Sequence, residues 1–140
     1  MSITRINREL GLLVWLRADS RCEYCGMPQQ FDDLTFEIDH VVAEQHGGKT
    51  TPANLALACF SCNRRKGSNL AGIDPETGRR TWLFNPRRHK WPRHFRWDGP
   101  WLVGRTALGR ATISTLGVNA PLRVRLRSEL IANGEFSENE

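Results

Sequence analysis

FEIDHVVAEQHGGKTTPANLALACFSCNRRK, residues 36–66, is the stretch on which the fold turns. It holds Asp39 and His40, then Asn54, then a Cys59-x-x-Cys62 pair followed by Asn63 and Lys66. Leu34 to Val42 has the β-branched and aromatic content of a strand, with Phe36, Ile38 and His40 on alternate positions. Leu55 to Cys59 is a short apolar run suited to the second strand of a hairpin. Between them Gly47-Gly48 predicts a loop, and Thr51-Pro52 a short helical piece ending at Asn54. Ser61 is read as the cap of a brief helix that stops at Gly67 and so carries Asn63 in its first turn.

Upstream lies a second pair, Cys22-Glu23-Tyr24-Cys25, with Gly26 relaxing the backbone just after it. The N-terminus, MSITRINREL, has no apolar signal core, and no apolar run approaches a membrane span, so a cytoplasmic protein without membrane attachment is expected. Thiols stay reduced there, and paired CxxC motifs then suggest metal over disulfides. Cys22, Cys25, Cys59 and Cys62 together satisfy a four-thiolate zinc site, coordinatively closed and therefore structural.

With 140 residues the chain fits one domain, read in three parts: an N-terminal helix (1–19), a zinc-stapled core (20–69) and a basic extension (70–140). Ile3, Ile6, Leu10, Leu13 and Val14 stand at helical spacing over residues 3–18. Downstream, Arg79 to Trp97 carries seven Lys or Arg and no acid, interleaved with Trp82, Phe84, Trp91, Phe95 and Trp97. Bases among aromatics suit nucleic acid, although four of those five rings serve equally well as core. Thr106 to Leu116 predicts a helix ended by Gly117. Asn119 is read as the cap of another running toward Asn133-Gly134, in preference to a strand over Leu122–Arg127, and residues 135–140 as a frayed tail. The fold class expected is α+β with a basic helical C-terminal extension, and the formal net charge of +5 suits an anionic partner.

Hydrolysis of a phosphodiester needs a base to activate water and a divalent cation to stabilise charge on phosphate and leaving oxygen. Asp39 and His40 offer both capacities, and Asn63 adds a second oxygen donor. An Asp with an Asn carbonyl is a hard, oxygen-only set that prefers magnesium or manganese. Arg64, Arg65 and Lys66 are read either as phosphate contacts or as cations favouring the helix C-terminus.

Taken jointly, Glu37-x-Asp39-His40, the glycine pair, Asn54-Leu55 and Cys59-x-x-Cys62-Asn63-x-x-Lys66-Gly67 resemble the HNH endonucleases. The resemblance covers Arg21 to about Asn69. It implies a ββα-metal HNH core, with His40 as general base, Asn54 fixing the loop and orienting His40, and Asp39 and Asn63 holding the catalytic cation. The four cysteines match the zinc-binding branch, and Asn63 stands where many members have histidine. The expected activity is endonuclease cleavage of nucleic acid, with DNA ahead of RNA. A zinc ribbon that binds DNA or protein without cutting, and an RNA endonuclease, are the rival readings.

Overall fold

A computed structural model describes residues 6–136. Ile3 of the expected helical stripe and the last four residues of the expected tail lie outside them. The chain packs as two compact units, one reaching to Leu70 and including Asn85–His89, the other comprising Ala71–Phe84 and the chain from Lys90 onward.

In the first unit, α1 (Arg8–Arg17) begins where the Asn7 side chain accepts the Leu10 N–H at 2.8 Å. Its covered side is Gly11 and Val14: a Cβ on Gly11 would sit 3.7 Å from Ile38, and Val14 is fully buried. Leu13, expected on the covered stripe, is 42% exposed instead, and Leu12 and Leu16 are exposed with it. Arg17 ties the helix end to the hairpin by donating to the carbonyls of Pro52 and Leu55 at 2.9 and 2.6 Å. Strand β1 (Glu37–His40) pairs antiparallel with β2 (Leu55–Ala58), setting Asp39 opposite Ala56 and His40 opposite Leu55. Every residue of β2 is buried, so apolar side chains cover both its faces. Helix α2 (Phe60–Lys66) follows after a single residue, completing a ββα unit. Its cap is Cys59, whose sulfur accepts the Cys62 N–H, rather than Ser61; the helix starts earlier than its sequence suggests, and Asn63 is its fourth residue.

The second unit holds two hairpins as well as helices. β3 (Ala71–Ile73) pairs with β4 (Arg80–Trp82), a one-turn α3 (Trp91–His94) follows, and β5 (Phe95–Asp98) pairs with β6 (Trp101–Gly104). α4 (Ala107–Leu116) is capped by Thr106, whose hydroxyl accepts the Gly109 N–H, and is closed by Gly117 at φ 59°. α5 (Pro121–Ala132) starts after Ala120; Asn119, expected as its cap, instead brackets Leu102 of β6, accepting its N–H at 2.9 Å and donating to its carbonyl at 2.8 Å. Phe84, Trp91, Phe95 and Trp97 form a ring cluster with neighbouring centroids 5.1 to 5.9 Å apart. The Arg127 guanidinium, fully buried, lies 5.3 Å over Trp97 and donates to the Pro100 and Val118 carbonyls. Among the described residues no helix is long and apolar enough to cross a membrane.

Candidate active site and metal centre

The four cysteine sulfurs lie within 4.8 Å of one another, all buried, and Cys25 and Cys59 stand 3.8 Å apart. A tetrahedral zinc bound at about 2.3 Å needs sulfurs about 3.8 Å apart, so these residues fit the ion. Cys22 and Cys25 face it from a tight turn in which Gly26, at φ 79°, donates its N–H to the Cys22 carbonyl. Cys59 and Cys62 come from the cap and first turn of α2. Burial pushes the Cys22 thiol well up, and hydrogen bonds from the neighbouring thiols, that of Cys22 foremost, do the same for Cys62. Four thiolate donors would leave a bound zinc no open position, which is the arrangement of a structural centre.

The residues between the two thiols of the first pair are also in use. Glu23 clasps β2, its N–H donating to the Leu57 carbonyl and its carboxylate accepting the Leu57 N–H, both at 2.8 Å, while Arg87 pairs with its other oxygen. Tyr24, 1% exposed, donates its phenol to Asp39 Oδ2 at 2.7 Å. Lys66 Nζ meets the same oxygen at 3.0 Å. Oδ1 of Asp39 takes no hydrogen bond among the described residues. Burial raises the Asp39 carboxyl above its ordinary range, and the Lys66 charge and the Tyr24 phenol oppose that rise. Tyr24 is itself pushed well up, chiefly by burial and then by the Asp39 charge, so it remains a donor.

Lys66, read from sequence as a possible phosphate contact, is 2% exposed. Besides Asp39 its ammonium donates to the carbonyls of His40 and Val41 at 3.4 and 3.1 Å, pinning the end of β1. Arg64 and Arg65 are exposed, Arg64 lying 4.6 Å over the Phe60 ring. Asn63 donates its amide to Glu37 Oε1 at 3.2 Å, and its own carbonyl oxygen takes no hydrogen bond among the described residues. Glu37 and Asp39 share a face of β1 by strand alternation, so the α2 side of the hairpin gathers Glu37, Asp39, Asn63 and Lys66.

His40 stands at the strand end, its Nε2 2.9 Å from Thr50 Oγ1 and 3.9 Å from the Glu44 carboxylate. Its Nδ1 has no hydrogen-bond partner among the described residues. Asn54 holds the loop after it: Oδ1 accepts the Val42 N–H, and Nδ2 donates to the carbonyls of Val42 and Lys49, all at 2.9 Å. The loop can close so tightly because Gly48 lacks a side chain, since a Cβ there would sit 1.7 Å from the Val42 carbonyl oxygen. Gly47 turns the chain at φ 88°. Sequence spacing gives no sign of Tyr24, Thr50 or Glu44 as site residues, because a tyrosine in a cysteine turn and single polar residues in a loop carry no spacing signal of their own.

By donor chemistry alone, the oxygens of Asp39 and Asn63 are of the kind that suits a hard cation. Asp39 presents one free carboxylate oxygen whose partner oxygen is already held, and Asn63 presents an amide oxygen; magnesium commonly takes so few protein ligands and completes its shell with water and phosphate. The cysteines are the group of three or more His, Cys, Asp and Glu side chains gathered tightly enough to hold an ion among the described residues. No curated protein and no solved structure gives a significant match to the chain. The family model for HNH endonuclease matches residues 22–69, a span that includes the four cysteines, Asp39, His40, Asn54 and Asn63.

Proposed function

Starting from residues 22–69 as an HNH endonuclease domain, we propose that the protein hydrolyses phosphodiester bonds of nucleic acid, with DNA as its substrate. The observation that carries this reading is the state of Asp39: one carboxylate oxygen is fixed by Tyr24 and Lys66, and the other takes no hydrogen bond among the described residues.

In this mechanism Thr50 accepts a hydrogen bond from His40 Nε2–H, which fixes the tautomer and leaves the Nδ1 lone pair to take a proton from the attacking water. Asn54 keeps the Val42–Lys49 loop closed and with it the setting of His40. Asp39 and Asn63 would hold magnesium or manganese, which supplies charge stabilisation at the phosphate and at the departing 3′ oxygen. Arg64 and Arg65, exposed on α2, contact backbone phosphates and so position the strand without reading its sequence. Buried free thiols that suit zinc agree with a cytoplasmic, reducing setting.

Nicking of supercoiled plasmid by the zinc-loaded protein tests the proposal. Cutting that appears on adding magnesium supports it; no cutting with magnesium or manganese, at protein concentrations that bind the plasmid, sinks it. That second outcome would favour a zinc ribbon that binds without cutting. One feature suits that rival: Asp39 already has an ammonium neighbour at 3.0 Å and does not need a metal to balance its charge. Competition with RNA separates the two polymers.

A further inference from the structure

The β3–β4 ribbon has two unlike faces. Gly72 and Thr81 pair across it on the side packed against α4, where a Cβ on Gly72 would lie 2.2 Å from Thr115 Oγ1. The other side carries Ala71 opposite Trp82 and Ile73 opposite Arg80. There Trp82 is 67% exposed and Ile73 52%, with Arg80 exposed beside them. The remaining aromatic residues between Arg79 and Trp97 are drawn into the ring cluster, whereas the Trp82 indole makes no ring contact or hydrogen bond among the described residues. Arg79 and Arg80 likewise have no ion-pair partner there. The two acids at the turn of the ribbon are taken, since Arg110 holds Asp74 at 2.9 Å and Glu76 at 3.2 Å. What is left on the surface is a flat ring flanked by free positive charge.

We propose that this face binds single-stranded nucleic acid, with Trp82 stacking on an unpaired base and Arg80 contacting the adjoining phosphate. The chemistry selects that occupant. An indole offers a π-face to any base that is not already stacked on its neighbours, and the guanidinium supplies the sequence-independent charge. A duplex keeps its base faces stacked inside and presents phosphates and groove edges, which offer a tryptophan no face to stack on. The face lies outside residues 22–69, so it adds a strand-holding surface to the nuclease; it rests on the reading that this protein's ligand is nucleic acid.

The test uses the full-length, zinc-loaded protein without magnesium, so that binding is read apart from cutting. Fluorescence anisotropy is followed with a labelled oligodeoxythymidylate and with a duplex of equal length. Trp82→Ala should weaken the single strand roughly tenfold, while duplex binding stays near the wild-type value. Trp101→Ala, at a tryptophan that is 50% exposed on the other hairpin, should change neither. Arg80→Gln should lower the salt dependence by about one phosphate contact. Single-strand binding by Trp82→Ala equal to wild type, or an equal loss from Trp101→Ala or on the duplex, overturns the assignment. Because Mg-dependent cutting is assayed separately, wild-type protein that cuts while Trp82→Ala binds normally defeats this inference alone.

Discussion

The Tyr24 phenol donates to Asp39 Oδ2 at 2.7 Å, and Tyr24 sits between Cys22 and Cys25. The turn that supplies two of the zinc ligands thus also supplies a hydrogen bond to the carboxylate proposed to hold the catalytic cation. The cysteine cluster and the Asp39 site meet at a backbone segment four residues long, Cys22–Cys25, and one buried hydroxyl links the first to the second. Tyr24→Phe keeps the ring and removes only that hydroxyl. It should retain zinc and the wild-type melting profile to within a few degrees, yet bind manganese, read by electron paramagnetic resonance, roughly tenfold more weakly and cut correspondingly more slowly. Unchanged manganese affinity would show that Tyr24 serves packing alone.

Cys59 is both a sulfur of the zinc cluster and the N-cap of α2, the helix that carries Asn63 and Lys66. Cys59→Ser should therefore lose zinc and unfold the first unit, because structural zinc contributes roughly 10–16 kcal/mol in small zinc domains. The zinc affinity of the wild-type chain should also depend on pH. Cys22 and Cys62 are held well above the ordinary thiol range, so binding must expel protons and should tighten as pH rises. Chelator competition at several pH values measures this; an affinity flat with pH would mean that the thiols are already ionised before zinc arrives.

Lys66 and Asp39 form a buried pair, their side chains 2% and 7% exposed. Removing one member leaves an uncompensated group, and Lys66→Met should destabilise the first unit by about 3–5 kcal/mol in urea unfolding. A surface lysine engaged only with phosphate would change stability by a few tenths. The same substitution frees the carbonyls of His40 and Val41, so any residual fold should cut poorly.

Asp74 gives the second unit an acid-sensitive joint. Hydrogen bonds from Arg110, with further ones from the Glu76 N–H and the Thr77 hydroxyl, hold its carboxyl well below the ordinary range. A carboxyl depressed in the folded state contributes stability that is fully present above its unfolded value, about 4, and is lost as pH falls from there toward the folded value. Denaturation read from tryptophan fluorescence should show wild type falling steeply below about pH 4, and Asp74→Asn, weaker at neutral pH, falling less. Parallel acid limbs for the two proteins would contradict this assignment.

Much of the first unit is legible in the spacing of its side chains. The cysteine pairs, the Asp39-His40 step at a strand end and the glycines before Asn54 each constrain local backbone, and the ββα unit follows from them. Partners brought together by tertiary packing are not legible in this way. Lys66 reads as a surface cation because lysine near a helix end is usually solvated; its burial is set by Asp39, 27 residues earlier in the chain. Leu13 continues an apolar spacing yet points outward, since contact with the hairpin is made through Gly11 and Val14. In the extension, the capping threonine and closing glycine reveal α4, whereas strands of three or four residues are too short for alternation to separate them from loops. Trp82 and Trp91 are alike in sequence context, and only packing decides which of them is exposed.

In the proposed mechanism His40 removes the proton from water. Single-turnover cleavage of labelled DNA at saturating magnesium, comparing wild type with His40→Ala at equal zinc content and equal DNA binding, tests it most directly. A rate loss of roughly 10²–10⁴ with zinc and binding intact is expected. Cleavage by His40→Ala at the wild-type rate would contradict it.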